Sequence, residues 1–135
     1  MPAGNDTDVS ERLLRARELL SQGMATEAQQ AIDGVLVLAR QLPDADMVHS
    51  CGLLARLLAL RGEGTRARLL AALAVEASRY CTTGRHQAYA FLDKAHTLRT
   101  LGDADESLAC LRRAHSLAPR EIPSATWREK VSLVS

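Results

Sequence analysis

Three cysteine–histidine pairs are the residues of this chain whose types could ligate a metal or support nucleophilic catalysis. The members of each pair lie two or five positions apart: His49 and Cys51, Cys81 and His86, and Cys110 and His115. Two positions on a helix turn side chains about 200° apart, and a structural zinc site needs ligand sets such as C-x-x-C. Residues distant in sequence can still meet in a fold, but no motif here points to such a nucleophile. The spacing therefore predicts ordinary core and surface roles.

A glycine-rich stretch, Gly62-Glu63-Gly64, is the nearest approach to a phosphate-binding loop. A phosphate site needs several aligned backbone N–H groups at a helix start, whereas this stretch falls in a predicted turn between helices. The sequence contains no Walker, Rossmann, nucleophile-elbow or H-E-x-x-H motif. We therefore expect a protein that is not an enzyme and has no metal and no cofactor.

Composition predicts one all-α domain. The chain has 135 residues, of which 47% are hydrophobic and only 3% aromatic, with Leu and Ala abundant. Leu and Ala cost little in a helix, while strands favour aromatic and β-branched residues. The formal net charge of +1 gives no electrostatic reason to expect nucleic acid as a partner.

Cysteine usage and hydropathy predict the compartment. The three cysteines are an odd number and widely spaced, which argues against a disulfide framework and for reduced thiols. No N-terminal stretch has a signal-peptide pattern, and arginines interrupt every apolar run, so we expect no membrane insertion. These features together predict a cytoplasmic protein.

Three glycines mark an internal repeat: Gly23, Gly62 and Gly102 lie 39 and 40 positions apart. Five offsets around them also share residue types: Ala16, Ala55 and Ala95; Leu19, Leu58 and Leu98; Ala28, Ala67 and Ser107; Ile32, Ala71 and Leu111; and Val35, Ala74 and Ala114. An alanine and a leucine three positions apart share a helix face, and a glycine allows the turn that ends a helix. Each block therefore predicts an antiparallel helix pair, which must stack on its neighbours to bury its apolar face.

The third block resembles the tetratricopeptide repeat. Residues 90–119 read AFLDKAHTLRTLGDADESLACLRRAHSLAP. The signature positions are occupied by Phe91, Ala95, Leu98, Gly102, Ser107, Leu111, Ala114 and Pro119. The block departs from the signature at Lys94, usually Leu, and at Ser107, usually Ala. Because the family period is about 34 residues, the chain looks like a long-period variant. The resemblance implies an all-α, right-handed stack of three helix-turn-helix hairpins.

The sequence predicts a disordered tail at residues 1–7, three repeats within residues 8–122, and a C-terminal capping helix at residues 123–135. The three repeats are expected at about 8–43, 46–81 and 85–119. A capping box, Asp8-Val9-Ser10-Glu11, is expected to begin the first helix, and the six helices of the repeats are predicted over about 8–22, 25–41, 46–61, 65–80, 85–101 and 104–117. Trp127, Val131 and Val134 form an apolar stripe on the last helix. We expect this stripe to cover the end of the third repeat, with contact to a partner as the alternative.

The resemblance implies a concave groove lined by the first helix of each hairpin. The position six before each glycine should then point into the groove, which gives a row of Arg17, Arg56 and His96. With neighbouring positions, the predicted partner-binding groove comprises Leu13, Arg17, Leu20, His49, Arg56, Leu60, Tyr89, His96 and Arg99. The alternative is that the arginines pair with neighbouring acidic residues or are simply solvated.

The function implied by the resemblance is protein–protein interaction, as an adaptor or a small chaperone. Arginine binds carboxylates in bidentate geometry, so the expected partner is a protein or peptide with an acidic or C-terminal carboxylate group. We expect charge reversal at Arg17 and Arg56 together to weaken binding and leave the helical fold intact. The alternative function is a homo-oligomerising unit, such as a homodimer, within a larger bacterial assembly.

Overall fold

The chain is all-helical throughout the part that the structure describes. The computed structural model describes residues 5–36, 44–118 and Trp127, and these ranges contain no strand. The six helices are α1 (Asn5–Ser21), α2 (Ala25–Leu36), α3 (Asp44–Leu60), α4 (Gly64–Ser78), α5 (Gly84–Thr100) and α6 (Ala104–Leu117). The prediction of an all-α fold is confirmed.

The three repeat glycines end the first helix of each pair in the same way. Gly23, Gly62 and Gly102 have φ angles of 77°, 81° and 88°, in the left-handed region that disfavours other residues. The residue after each glycine donates its N–H to a carbonyl five positions back, at Leu19, Leu58 and Leu98, over 2.9–3.0 Å. This bonding is the Schellman motif, which satisfies carbonyls left free at a helix end. The predicted equivalence of the three turns is confirmed.

Helices pair in chain order, and the pairs are joined through α3. α1 packs on α2, α3 on α4 and α5 on α6; α3 also contacts α1, α2 and α5, and α4 contacts α5. The small residues at the predicted contacts are at most 2% exposed: Ala16, Ala55, Ala95, Ala28, Ala67 and Ser107. Their small side chains let the helices approach closely. Ser107, which replaces the usual alanine, donates its hydroxyl to the Ala95 carbonyl over 2.7 Å.

The core runs from one helix pair into the next. Leu53 and Leu57 of α3 complete the apolar cluster of α1 and α2, and Ala90 of α5 joins the cluster between α3 and α4. Trp127 packs into the cluster between α5 and α6, while Val131 and Val134 of the predicted stripe lie outside the described residues. A buried large apolar side chain stabilises the fold by about 1.5–3 kcal/mol. Each helix pair therefore buries its apolar face with the help of a neighbouring pair or of Trp127.

Helix ends differ from the prediction at several places. Residues 5–7 were expected in the disordered tail, but α1 begins at Asn5 and places Asp8, the first residue of the predicted capping box, inside the helix. No glycine or proline separates Asn5 from Asp8, so nothing stops the helix from extending past the capping box. α3 begins at Asp44, two residues before the predicted start, and α4 ends at Ser78, two residues before the predicted end.

Some predicted segments lie outside the described residues. These are residues 1–4 of the tail, residues 37–43 at the predicted end of the second helix, and the capping helix over 123–135 apart from Trp127. Within the described ranges, no helix combines the length and apolar character needed to cross a bilayer.

Candidate functional site

The predicted groove residues lie on the face shared by α1, α3 and α5, where they line two cavities. Cavity 1, of about 260 Å³, is lined by Leu13, Leu14, Arg17, Ala45, Asp46, His49, Arg85, His86 and Tyr89. Cavity 2, of about 440 Å³, is lined by Leu20, Ser21, Gly23, Ala25, Arg56, Leu60, His96 and Thr100. Eight of the nine predicted residues are therefore divided between the two cavities. Arg99 lines neither and is exposed.

A buried ion cluster contains one arginine from each cavity. Arg17 of α1 donates from both terminal nitrogens to the two carboxylate oxygens of Asp93 on α5, each over 2.8 Å. Arg56 of α3 donates to the same carboxylate over 3.3 Å. The Asp93 side chain is 0% exposed, and those of Arg17 and Arg56 are 6% and 10% exposed. One carboxylate thus joins all three helices that line the candidate site.

Gly52 provides the space for this carboxylate. A Cβ atom added at Gly52 would collide with the Asp93 carboxylate, so α3 can pass beneath Asp93 only with no side chain at that position. Gly52 is in the middle of α3, where glycine is less favourable than alanine by up to about 1 kcal/mol. The close approach of Asp93 accounts for a residue that helix propensity alone would disfavour.

The two arginines respond differently to the shared carboxylate. Burial alone would raise the pKa of Asp93, but the charges and hydrogen bonds of Arg17, together with Arg56, lower it to about 2. Burial disfavours the charged form of Arg17, yet Asp93 raises its pKa above the usual value. The pKa of Arg56 is lowered by burial and by Arg17, because its single longer contact with Asp93 compensates less. Two cations therefore share one anion, which leaves one uncompensated positive charge.

The arginine row of the sequence prediction is therefore corrected at two of its three positions. Arg17 and Arg56 do not project freely into the groove but are held by Asp93, as in the alternative of pairing with a neighbouring acidic residue. Reversing both charges would leave the buried Asp93 among anions, so we expect this double variant to be less stable than the original chain. The third member, His96, lines cavity 2.

Asp93 was missed by the sequence prediction, although the repeat carried a signal for it. Asp93 is nine positions before its repeat glycine, where the other two blocks have Leu14 and Leu53. Gly52 is ten positions before its glycine, where the other blocks have Leu13 and Leu92. Two residues that break an otherwise leucine-type pattern therefore meet at the ion cluster.

Two histidines and a tyrosine extend the cluster into cavity 1. Arg17 lies 4.7 Å from the centre of the Tyr89 ring, within cation–π range. Arg17 also contacts His49 Nδ1 over 3.1 Å, and His49 Nε2 lies 3.0 Å from His86 Nδ1. Because arginine can only donate, His49 Nδ1 must accept and its proton sits on Nε2, which donates to His86. Burial and the charge of Arg17 lower the pKa of His49 to about 3, so this predicted groove residue is neutral near pH 7.

Trp127 supports Tyr89 from behind. The Trp127 indole N–H donates to His115 Nδ1 over 2.9 Å, and its ring meets the Tyr89 ring edge-on at 6.3 Å. Tyr89 in turn meets the His49 ring at 5.5 Å. Aromatic contacts of this geometry fix ring orientation. The wall of cavity 1 is therefore coupled to the packing of Trp127 on the third helix pair.

The accessible parts of the two cavities are mainly apolar, and cavity 1 is also lined by one basic and one acidic residue, Arg85 and Asp46. Arg85 is exposed beside cavity 1 and forms no ion pair with any residue in the described ranges. Leu14 beside cavity 1 and Leu60 beside cavity 2 are 61% and 56% exposed. The side chains available to a partner are thus Arg85 and exposed leucines rather than Arg17.

The histidines of the three cysteine–histidine pairs form hydrogen bonds with residues other than cysteine. Cys51 and Cys110 are buried, and burial raises the pKa of both thiols, which disfavours the nucleophilic thiolate. His49 and His86 instead bond to each other, and His115 bonds to Trp127. In the part of the chain that the structure describes, no group of three or more His, Cys, Asp or Glu residues is placed to hold a metal ion.

Comparison with known proteins adds no relative: no protein-family model, no curated protein and no solved structure matches this chain. The tetratricopeptide resemblance stays a prediction, which depends on the residue offsets around the three glycines.

Proposed function

We propose that this protein is a non-catalytic interaction module of the tetratricopeptide type, built as a right-handed stack of three hairpins. It binds a segment of another protein across the face of α1, α3 and α5, as an adaptor or a small chaperone in the cytoplasm. The observation that carries the proposal is that all three helices contribute side chains to two cavities on this one face. An extended segment that crosses the face would contact side chains from every helix pair.

The positive charge of this face favours a partner segment with carboxylate groups. The buried cluster holds two guanidinium groups for one carboxylate, and Arg56 lines cavity 2 while making one 3.3 Å contact with Asp93. Arg85 adds an exposed positive charge at cavity 1. An acidic side chain or a C-terminal carboxylate would therefore gain charge-assisted hydrogen bonds here.

The apolar lining supplies the second half of the recognition. Leu20 and Leu60 line cavity 2, and Leu13 and Leu14 line cavity 1. Cavity 2, at about 440 Å³, falls within the size range of ligand pockets in proteins. We expect a segment in which acidic and aliphatic residues are interspersed, because each cavity combines a cationic group with leucines.

Selection from a random peptide library displayed with free C-termini tests this proposal. We expect enrichment of peptides with acidic and aliphatic residues, and binding should change the fluorescence of the chain's one tryptophan, Trp127, through its contact with Tyr89. Arg85→Glu should lower the affinity for a selected peptide by about tenfold or more, as expected for loss of a charged contact. Arg112→Glu on α6 makes the same charge change on another exposed arginine and should leave the affinity unchanged.

Two results would contradict the proposal. If no peptide is enriched above background, the face is not a peptide-binding groove. If Arg85→Glu and Leu60→Glu both bind the selected peptide as well as Arg112→Glu does, the peptide binds elsewhere. Amidating the peptide C-terminus then separates the two sources of carboxylate: weaker binding indicates the terminal group, and unchanged binding indicates acidic side chains.

A further inference from the structure

α4 presents an exposed apolar stripe on the side facing away from the core. Leu69, Leu73 and Tyr80 are 60%, 47% and 72% exposed, although large apolar side chains are normally buried. The buried residues of α4 lie on the opposite side of the helix and include Ala67, Ala71, Ala74, Val75 and Ser78. At 100° per residue, Leu69 and Leu73 fall within about 40° of each other, and Tyr80 lies in the turn that follows the helix. The two leucines form a single stripe, not scattered exposed residues.

Charged residues flank this stripe in a symmetric order. Arg66 lies five positions before Ala71 and Glu76 lies five positions after it, while Leu69 and Leu73 each lie two positions from it. The side chains of Arg66 and Glu76 are 68% and 57% exposed. Each forms a surface pair with the residue that flanks its end of the helix: Arg66 with Glu63 over 3.0 Å, and Glu76 with Arg79 over 3.5 Å. Such exposed pairs contribute little to stability and leave both charges available.

A two-fold axis on the exposed side of α4, at the height of Ala71 along the helix, would make this face complementary to itself. When two copies of α4 lie antiparallel about such an axis, Leu69 of each copy faces Leu73 of the other. Arg66 of each copy likewise faces Glu76 of the other, so opposite charges meet on both sides of the leucines. A two-fold interface uses the same patch on both chains, so a patch with mirrored apolar residues and opposite mirrored charges fits a second copy best.

We propose that α4 is a self-association surface, on which a second copy of this chain docks antiparallel through Leu69 and Leu73 with Arg66–Glu76 pairs on either side. Tyr80 of each copy lies over the turn at Gly62 of the other, since both are nine positions from Ala71. The surface is separate from the face of α1, α3 and α5, so two copies would present two grooves. The dimer does not depend on the proposed peptide-binding function.

The dimer is expected to be weak. A single helix-on-helix contact buries less than the roughly 1,200 Å² of a standard stable interface. Its formation should therefore depend on protein concentration. Complementary charges set partner choice in antiparallel helix pairs. Reversing one of the mirrored charges therefore tests the proposed arrangement.

Sedimentation equilibrium of the full chain between about 10 μM and about 1 mM tests the surface, a range in which weak association is measurable. We expect dimers at the upper end of the range. Arg66→Glu alone and Glu76→Arg alone should each weaken association by about tenfold or more, because each places like charges opposite one another twice. The double variant Arg66→Glu/Glu76→Arg restores opposite charges and should dimerise like the original chain.

Mixing the two single variants sharpens the test. A 1:1 mixture of Arg66→Glu and Glu76→Arg chains should form a mixed dimer more tightly than either variant alone, because each mirrored pair then has opposite charges. Leu73→Glu should abolish association, while Leu108→Glu on α6, where leucine is equally exposed at 47%, should not. Circular dichroism checks that each variant remains helical.

A chain that stays monomeric at about 1 mM would overturn the proposal, since even weak helix pairs associate there. A dimer that tolerates Leu73→Glu, or that neither single charge variant weakens, would also overturn it, because association would then use another surface. Failure of these experiments would leave peptide binding by the groove untouched.

Discussion

The ion cluster between α1, α3 and α5 and the charged stripe of α4 contain the same residue types in opposite settings. Asp93 is fully buried and accepts three hydrogen bonds from two arginines. Arg66 and Glu76 are largely exposed and pair with residues three positions away, at the two caps of their helix. Removing one partner of a buried ion pair costs about 3–5 kcal/mol, whereas an exposed pair contributes about 0–1 kcal/mol.

This contrast indicates what each set of charges can do. The buried cluster joins the first and third helix pairs across α3, so Arg17, which donates two 2.8 Å hydrogen bonds to Asp93, is committed to the fold. The charges on α4 have no such structural commitment and can meet a new partner at little cost. Substitutions in the two regions should therefore differ in the size of their effects and in the property that they change.

The largest effect is expected at Asp93. Asp93→Asn removes the anion and leaves Arg17 and Arg56 buried without a counter-charge, so the free energy of unfolding should fall by about 3–5 kcal/mol. Urea unfolding followed by circular dichroism measures the change. The matched control is Asp103→Asn, whose carboxylate pairs with Arg68 over 3.3 Å at the surface and should change stability by less than about 1 kcal/mol.

A triple replacement separates charge from packing in the same cluster. Arg17→Met/Asp93→Leu/Arg56→Met removes all three charges together and should destabilise much less than Asp93→Asn, because no buried ion is left unpaired. Equal losses of stability in Asp93→Asn and Asp103→Asn would show that the cluster carries no special energetic role.

A smaller effect is expected from pH, through His49. The folded-state pKa of His49 is about 3, below its ordinary value of 6.5, so the unfolded chain binds a proton at pH values where the folded chain does not. The stability contribution of neutral His49 is complete above pH 6.5 and is lost progressively as the pH falls toward 3. Between pH 6.5 and pH 5, the loss should be roughly 1–2 kcal/mol.

Urea unfolding at a series of pH values measures this loss. His49→Gln keeps an acceptor for Arg17 but cannot take up a proton, so its stability should vary less over the same interval. Asp93, whose pKa is also lowered, adds to the acid loss only below its ordinary pKa of 3.8, outside this window. Parallel stability curves for the original chain and His49→Gln between pH 6.5 and pH 5 would contradict the assignment of a buried neutral His49.

The internal repeat predicted the helices and the turns between them, because both depend on local rules. A glycine with positive φ, an alanine at a helix contact and a leucine on the buried face each act within one helix pair, so their spacing is visible in the chain. α6 begins and ends where the sequence predicted, at Ala104 and Leu117. The start of α1 was not predicted, because a capping pattern cannot stop a helix whose preceding residues are also able to continue it.

The content of the site was predicted less well because it depends on long-range contacts. The spacing predicted that Arg17, Arg56 and His96 share a face, and these residues line the two cavities, but it could not reveal that Asp93, 76 positions from Arg17, would bind both arginines. Nor could it reveal that His49 would be neutral, since that follows from burial beside Arg17. In both cases the outcome depends on how the first and third pairs meet, which no local pattern encodes.

The smallest effect on folding is expected on α4. Arg66→Gln removes the exposed pair with Glu63 and should change the free energy of unfolding of the monomer by less than about 0.5 kcal/mol. Urea unfolding at a protein concentration too low for association, repeated in high salt, measures the change. A loss comparable to that of Asp93→Asn would show that Arg66 is committed to the fold, as Arg17 is. If the free energy of unfolding of the monomer is instead unchanged, any effect of Arg66 on sedimentation arises at the surface between two copies. Folding and association would then respond to different arginines.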